Sequence, residues 1–164
     1  MRTPDEARLA VAACRYPPEG IRGYGPRRPS GYGRMGGSAF CKAANQAIIA
    51  IAQIEHIDAV RAMDEILAVP GLDAITFGPC DLSGSMGHMG EPKHPEVARA
   101  IETILSKARG TKVAIGTPIA DPDTLRRWFN QGAQWLTVAG DESLMLKAAN
   151  EIVEKMRHLC ATAP

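Results

Sequence analysis

Two polar side chains end an otherwise apolar run in the sequence IIAIAQIEHID, which covers residues 48–58. Gln53 and Glu55 are two residues apart, and side chains at positions i and i+2 of a strand point to the same face. A strand that reads as buried therefore ends by directing an amide and a carboxylate to one side. This pairing indicates a binding site at the end of the strand.

A second carboxylate follows the next apolar run, in the sequence FGPCDLSGSMGHMG. Gly78 and Pro79 end this strand, and Asp81 follows at its mouth, after Cys80. Sites in parallel α/β folds form at the C-terminal ends of strands, so we expect Glu55 and Asp81 to converge. Such a pair can bind a hard divalent cation such as Mg²⁺ or Mn²⁺, while Gln53 orients a substrate oxygen. It can also divide acid and base roles between two carboxyl groups whose pKa values differ.

The same two acids also fit purely structural roles. Glu55 can be an acid at the start of a helix, where the helix dipole stabilises its charge, and Asp81 can be an N-cap or a turn residue. Residue spacing alone does not choose between these roles and metal binding.

The elements that would position these residues alternate regularly along the chain. Segment 1–46 is expected to contain a helix from Thr3 to Ala13, a loop rich in Gly and Pro, and a short helix over Ser38–Gln46. From residue 47 to 164, four strand–helix units follow, with strands over 47–54, 73–79, 111–117 and 133–140 and helices over 58–71, 94–110, 121–132 and 141–159.

This alternation predicts one α/β domain, over residues 1–164, with a parallel sheet and helices packed outside it. The predicted strands are almost entirely apolar, which is typical of strands buried on both faces. A TIM (β/α)8 barrel has eight such units over at least about 200 residues. Four units predict half of such a barrel.

Composition excludes several functional classes. The chain has 164 residues, 45% hydrophobic residues, 23% charged residues and a formal net charge of +1. No apolar run approaches the roughly 18 residues of a membrane span, and the N-terminus has no apolar signal segment, so we expect a cytoplasmic protein with no membrane partner. The four cysteines are scattered and are expected to be thiols. The four histidines lack a metal-ligand spacing and are expected in loops or at the surface.

The sequence RGYGPRRPSGYGR interleaves Gly, Tyr and Arg, a composition that also fits a nucleic-acid partner. Such a segment can stack on bases and contact phosphates. The net charge of +1 and the absence of a basic run elsewhere argue against this function, and we expect no nucleic-acid partner.

Four segments together resemble the HpcH/HpaI aldolase family, the class II pyruvate-dependent aldolases of the phosphoenolpyruvate/pyruvate barrel superfamily. The segments are RYPPEGIRG, QIEHIDAV, GPCDLSGSMGHMGEPKHPEV and VAGDESLM, and they occur in the family's order with similar spacing. The resemblance implies that Glu55 and Asp81 bind Mg²⁺, Mn²⁺ or a similar ion such as Co²⁺. It implies that Gln53 is the catalytic residue that orients the substrate. The backbone of Gly78, Pro79, Cys80 and Asp81 would hold the carboxylate of pyruvate or another 2-oxo acid.

The reaction implied by the resemblance is that of a metal-dependent carbon–carbon lyase. A 4-hydroxy-2-oxo acid is cleaved to pyruvate and an aldehyde, or formed from them, through the enolate of pyruvate. Family members typically form homo-oligomers, and the loop from Arg15 to Arg34 resembles one near their active-site mouth. His56 replaces the Thr that commonly follows the metal-binding Glu.

The resemblance also implies that this chain corresponds to the C-terminal half of the family's barrel. Family members have about four more strand–helix units at the N-terminus, which carry an arginine that polarises the keto group and a histidine–aspartate pair for proton transfer. Two hypotheses follow. The chain is an aldolase-type lyase, or it is a catalytically incomplete half-barrel remnant that at most binds metal and a 2-oxo acid.

Overall fold

The computed structural model describes residues 1–161, in which helices and parallel strands alternate. The elements in chain order are α1 (Pro4–Cys14), α2 (Gly37–Ala47), β1 (Ile51–Ile54), α3 (Ile57–Arg61), α4 (Met63–Leu67), β2 (Ala74–Phe77), α5 (Pro79–Ser85), α6 (Pro95–Ala108), β3 (Ala114–Thr117), α7 (Pro122–Asn130), β4 (Trp135–Leu136) and α8 (Asp141–Ala161).

The four strands form one parallel sheet in the order β1-β2-β3-β4, which confirms the predicted α/β class. In β1 the side chains alternate, so that Ile54 is buried and Gln53 is exposed. The register pairs Gln53 with Thr76 and Ile54 with Phe77, and it carries this alternation across to β2. β1 is therefore buried on one face only, in contrast to the two-sided burial that its apolar sequence predicts.

The core lies between the buried face of the sheet and the helices that cover it. Helix α6 presents its apolar stripe to this core and contacts α3, α4 and α5. Phe77 of β2 and Trp128 of α7 meet edge to face, with ring centroids 5.0 Å apart. Such pairs stabilise a core by about 0.5–1.5 kcal/mol beyond the burial of their apolar area.

Local capping interactions set the ends of several helices. Thr3 accepts a hydrogen bond from the backbone N–H of Glu6 at the start of α1, and Asp121 accepts one from Thr124 at the start of α7. Each cap is followed by a proline at the first helical position, as its fixed φ favours. These caps explain why the predicted starts of α1 and α7 are correct.

Other element boundaries differ from the prediction. Helix α2 extends through Ala47, so the strand predicted over 47–54 begins only at Ile51. The helix predicted over 58–71 is divided at Ala62 into α3 and α4. The segment after β2 contains helix α5, and the last strand is reduced to the two residues of β4.

Arg15 joins the N-terminal segment to the sheet at the edge where the strands begin. Its guanidinium donates hydrogen bonds to the backbone oxygens of Asn45 (2.7 Å) and Ile48 (2.6 Å) and to Asp73 Oδ2 (3.0 Å). Asp73 directly precedes β2, and its Oδ2 also accepts from the backbone N–H of Ala50. Arg15 therefore lies at the N-terminal ends of the strands, opposite the edge at which Glu55 and Asp81 lie.

Helix α8 is present as predicted, but it does not pack outside the sheet with the other helices. All of its described residues are exposed, including the apolar side chains of Leu144, Met145, Leu146, Ile152, Val153 and Met156. An exposed apolar surface of this extent is characteristic of an interaction surface.

The cysteines Cys14, Cys41, Cys80 and Cys160 are all free thiols. Among residues 1–161, no helix has the length and apolar character needed to cross a membrane.

Candidate functional site

Gln53 and Glu55 form a hydrogen-bonded pair on the exposed face of β1. The amide Nε2 of Gln53 donates to Glu55 Oε2 over 2.6 Å. Gln53 is exposed and Glu55 is half-buried. A charge-assisted bond of this kind holds the carboxylate in one orientation and leaves its second oxygen available for another ligand.

Gly78 packs against this pair from the neighbouring strand. A Cβ atom at Gly78 would lie 3.0 Å from Gln53 Nε2 and 3.1 Å from Glu55 Oε2, which is closer than ordinary contact. The Gly78 N–H donates to the Ile54 oxygen over 3.0 Å, so this close approach is maintained by the backbone. A side chain here would displace the ends of Gln53 and Glu55 by a few tenths of an ångström, and glycine leaves both in place.

Helix α5 begins directly after Gly78. Gly78 is its N-cap and Pro79 its first residue, followed by Cys80 and Asp81, both exposed. The first backbone N–H groups of a helix have no acceptor within that helix, so those of Cys80 and Asp81 are available to an anion. These two donors and the Asp81 carboxylate therefore lie in one helical turn beside Glu55's strand.

The structural alternatives for the two acids can now be compared with the observed positions. The N-cap of α5 is Gly78, so Asp81 does not cap the helix. Helix α3 begins at Ile57 with His56 as its N-cap, so Glu55 lies before that helix and outside its first turn. His56 Nδ1 accepts from the backbone N–H of Asp58, a capping role for which Thr is also suited.

Ser85 contacts the segment after Glu55, a contact that its position in the sequence does not predict. Its Oγ accepts a hydrogen bond from the backbone N–H of Ile57 over 3.0 Å. This bond links the end of α5 to the segment that follows Glu55. The repeated serines of the sequence DLSGS were the available signal, but their partner is 28 positions away along the chain.

The carboxylate oxygens of Glu55 and Asp81 are ligand types that suit a hard divalent cation. Within residues 1–161, neither Glu55 nor Asp81 forms an ion pair with an arginine, lysine or histidine side chain. The two carboxylates follow the ends of adjacent strands. Carboxylate oxygens, completed by water or substrate oxygens, are the ligands that Mg²⁺ and Mn²⁺ prefer.

The structure thus brings some of the predicted site residues into contact and others into the same region. Gln53, Glu55 and Gly78 touch one another. Pro79, Cys80 and Asp81 form the helical turn that follows. Their assignment to metal and substrate remains a prediction.

Comparisons with known proteins give a consistent result. The family model described as HpcH/HpaI aldolase/citrate lyase matches residues 1–148. The chain is 38% identical over 160 residues to a 4-hydroxy-2-oxo-heptane-1,7-dioate aldolase of Klebsiella pneumoniae, covering 96% of this chain and 60% of that protein. It is 36% identical over 154 residues to a 2-dehydro-3,6-dideoxy-6-sulfogluconate aldolase of Pseudomonas putida, covering 93% of this chain and 60% of that protein.

A solved structure gives the same relationship at the level of the fold. The crystal structure of an HpcH/HpaI aldolase/citrate lyase family protein from Burkholderia cenocepacia superposes with a TM-score of 0.84 at 32% identity, over 96% of this chain and 62% of that one. The chain therefore spans about 60% of the length of the curated relatives that it matches. Its strand–helix units form part of a TIM-barrel-type fold.

Proposed function

Since the chain belongs to the HpcH/HpaI aldolase/citrate lyase family, we propose that it provides the metal- and 2-oxo-acid-binding part of an aldolase active site. The observation that carries this proposal is the Gln53–Glu55 hydrogen bond packed against Gly78. The reaction is the cleavage or formation of a 4-hydroxy-2-oxo acid, with pyruvate and an aldehyde as the other reactants.

Glu55 and Asp81 hold the divalent ion, with Mg²⁺ or Mn²⁺ as the first candidates and Co²⁺ as a further one. A bound ion of this class acts as a Lewis acid toward the oxygens of a 2-oxo acid. The Gln53 amide keeps Glu55 in its ligand orientation through the 2.6 Å bond. Since hydrogen bonds of this kind determine the orientation of a ligand, their loss typically lowers metal affinity 10–100-fold.

The substrate carboxylate binds at the start of α5. The backbone N–H groups of Cys80 and Asp81 donate to it, Pro79 has no N–H, and Gly78 provides the space for close approach. The second N–H of the Gln53 amide remains available to donate to a substrate oxygen. Gln53 is thus a positioning group, because an amide does not titrate in the physiological range and cannot exchange the protons of the reaction.

The proton transfers of the reaction are assigned to groups other than Gln53, the two metal ligands and the backbone of α5. Breaking the bond between C3 and C4 requires removal of the proton on the 4-hydroxyl group and delivery of a proton to C3. Relatives are longer than this chain, which covers 60% of the first of them. A second candidate function is that this set of residues binds metal and a 2-oxo acid without turnover.

We further propose that the chain assembles into a homo-oligomer through α8. The helix exposes apolar side chains such as Leu146 and Ile152, and an apolar groove of about 420 Å³ lies between α7 and β4, lined by Leu125, Phe129 and Val138 among others. Burying such side chains stabilises an interface by about 25 cal/mol per Å² of apolar area.

Light scattering after size exclusion should give a mass of at least two chains, and Ile152→Glu should reduce that mass. A monomeric wild-type chain would contradict the proposed assembly.

The proposed site is tested by thermal melts with Mn²⁺, with and without pyruvate. A ligand that binds only the folded chain stabilises it by about 2.7 kcal/mol at a hundred times its Kd. For a domain of this size that corresponds to a rise in Tm of roughly 5–10 °C. The rise should be present in the wild type and lost in Asp81→Ala and Glu55→Gln.

Asp123→Ala is the matched control, because Asp123 is also an exposed acid in the first turn of a helix that starts with proline. It should respond to Mn²⁺ as the wild type does. A retro-aldol assay that detects pyruvate then distinguishes the two candidates. A Tm that is insensitive to Mn²⁺ and pyruvate would refute both.

A further inference from the structure

A second group of potential metal ligands lies between α5 and α6. His88 is in the loop after α5, His94 is the N-cap of α6, and Glu96 is in the first turn of α6. Each side chain offers one ligand atom, and these atoms all lie within 4.8 Å of one another. The two imidazole rings are stacked, with centroids 3.6 Å apart, and His88 Nε2 is 3.1 Å from Glu96 Oε2.

Backbone hydrogen bonds hold this cluster in place. The His88 N–H donates to the oxygen of Ser83 in α5 over 2.8 Å. The Glu91 N–H donates to the His88 oxygen and the His94 N–H to the Glu91 oxygen, both over 2.9 Å. The loop from residue 88 to residue 94 is therefore tied at both ends.

Each oxygen of the Glu96 carboxylate lies near a basic side chain. Glu96 Oε2 faces the His88 ring. Arg99 Nη2 is 3.8 Å from Glu96 Oε1, the other carboxylate oxygen. The side chain of His88 is 24% exposed and that of Glu96 is 52% exposed, so an ion can reach them from solvent.

We propose that His88, His94 and Glu96 form a binding site for a borderline transition-metal ion of the Zn²⁺ class. Two imidazole nitrogens, one carboxylate oxygen and a water molecule are a common tetrahedral ligand set for Zn²⁺. With bonds of about 2.0–2.2 Å, tetrahedral ligand atoms lie roughly 3.4 Å apart. The ligand atoms therefore close inward from their present separation of up to 4.8 Å. Because imidazole lone pairs lie in the ring plane, the two stacked rings turn toward the ion as the exposed Glu96 side chain rotates.

This site is chemically distinct from the pair formed by Glu55 and Asp81. Nitrogen ligands select Zn²⁺, Ni²⁺ or Cu²⁺, whereas an all-oxygen pair is suited to Mg²⁺ or Mn²⁺. The proposal does not depend on the proposed function, because its three residues are separate from the predicted substrate site. Binding would crosslink the loop after α5 to the start of α6 and so restrict the helix that carries Asp81.

The test is calorimetric titration of the full chain with ZnCl₂ in the presence of excess Mg²⁺, which occupies oxygen-only sites. The variants are His88→Asn, His94→Asn and Glu96→Gln. Asparagine is a good N-cap, so His94→Asn removes the imidazole and retains the capping of α6. His56→Asn is the matched control, since His56 is also a histidine N-cap but lies outside the cluster.

The expected result is one Zn²⁺ per chain with an affinity that falls at least about 10-fold in each of the three variants. Removal of a residue that is hydrogen-bonded to a metal ligand typically lowers metal affinity 10–100-fold, and removal of a ligand itself should lower it at least as much. His56→Asn and Asp81→Ala should both retain the wild-type affinity. Hydrogen exchange of residues 86–98 should slow when Zn²⁺ is added to the wild type and remain unchanged in His88→Asn.

Two results would overturn the proposal. The first is a wild type that binds no Zn²⁺, and the second is Zn²⁺ binding that survives both His88→Asn and His94→Asn. If Asp81→Ala abolishes Zn²⁺ binding while His88→Asn retains it, the ion occupies the predicted aldolase site. That outcome would support the proposed function and refute the second site, so the two proposals fail separately.

Discussion

Replacement of Arg15 by alanine should destabilise the fold more than any exposed arginine would. Its guanidinium makes three hydrogen bonds, two to backbone oxygens and one to Asp73, and its side chain is only 12% exposed. These bonds join α2, the segment before β1 and the segment before β2. Arg15→Ala removes all three and leaves the acceptors to be satisfied by water.

The size of the effect follows from the charges and their burial. A hydrogen bond to a charged group contributes about 1.5–3 kcal/mol, and three such bonds do not add fully. Breaking a buried ion pair costs about 3–5 kcal/mol, but the side chain of Asp73 is 40% exposed, so water compensates part of the loss. We therefore expect a decrease of about 3 kcal/mol in the free energy of unfolding, which lowers Tm by roughly 6–12 °C.

The assay is urea unfolding followed by tryptophan fluorescence, with the slope m unchanged between variants. Arg8→Ala is the control, because Arg8 pairs with Asp5 at the surface and its side chain is 59% exposed. Surface pairs of this kind contribute about 0–1 kcal/mol. A double-mutant cycle with Asp73→Ala isolates the coupling between the two side chains. An Arg15→Ala variant no less stable than Arg8→Ala would show that this arginine does not stabilise the sheet edge.

Substitutions at three further positions test the packing and capping described above. Trp128→Ala should cost about 3–5 kcal/mol in urea unfolding, because the side chain is 7% exposed in the core, whereas Trp128→Phe should cost less. Gly116→Val should displace the ring of Trp135, since a Cβ at residue 116 would lie 1.9 Å from that ring. A shift of the tryptophan fluorescence maximum, measured in the Trp128→Phe background so that Trp135 alone is observed, would report this displacement. The backbone N–H of Thr124, followed by its hydroxyl, keeps the pKa of Asp121 below its ordinary value of 3.8. Because the folded-state pKa is lowered, the stabilisation is present above pH 3.8 and is lost as the pH falls through the folded-state pKa. Asp121→Asn should keep the cap but show a smaller decrease of Tm at acidic pH than the wild type. An equal decrease of Tm in both proteins would contradict this.

Much of the architecture follows from local features of the sequence. The caps at Thr3 and Asp121 act over three residues, and the apolar stripe of α6 repeats within two turns, so each is readable without knowledge of distant contacts. The regular alternation of strands and helices predicts the parallel sheet. The break at Ala62 and the short β4 have no comparable local signal, and their predicted lengths were wrong.

The residues of the candidate site were identified from their types and their order along the chain, but their contacts were not. The alternation in β1 places Gln53 and Glu55 on one side, and the sequence alone predicts this. The close approach of Gly78 depends on the register between β1 and β2, and the bond from Ile57 to Ser85 depends on the packing of α5. Such contacts join residues more than 20 positions apart, and only the assembled sheet determines their geometry.

The same distinction explains the findings that sequence reasoning did not predict. Arg15 lies in a motif whose residues suggest a substrate loop, yet its partners are at the opposite edge of the sheet. His88, His94 and Glu96 lack a recognisable ligand spacing, because the turns between α5 and α6 bring them together. The amino-acid sequence determined the elements and the chemical groups through interactions of neighbouring residues. The tertiary structure decided which groups meet, because register and helix packing depend on the whole chain.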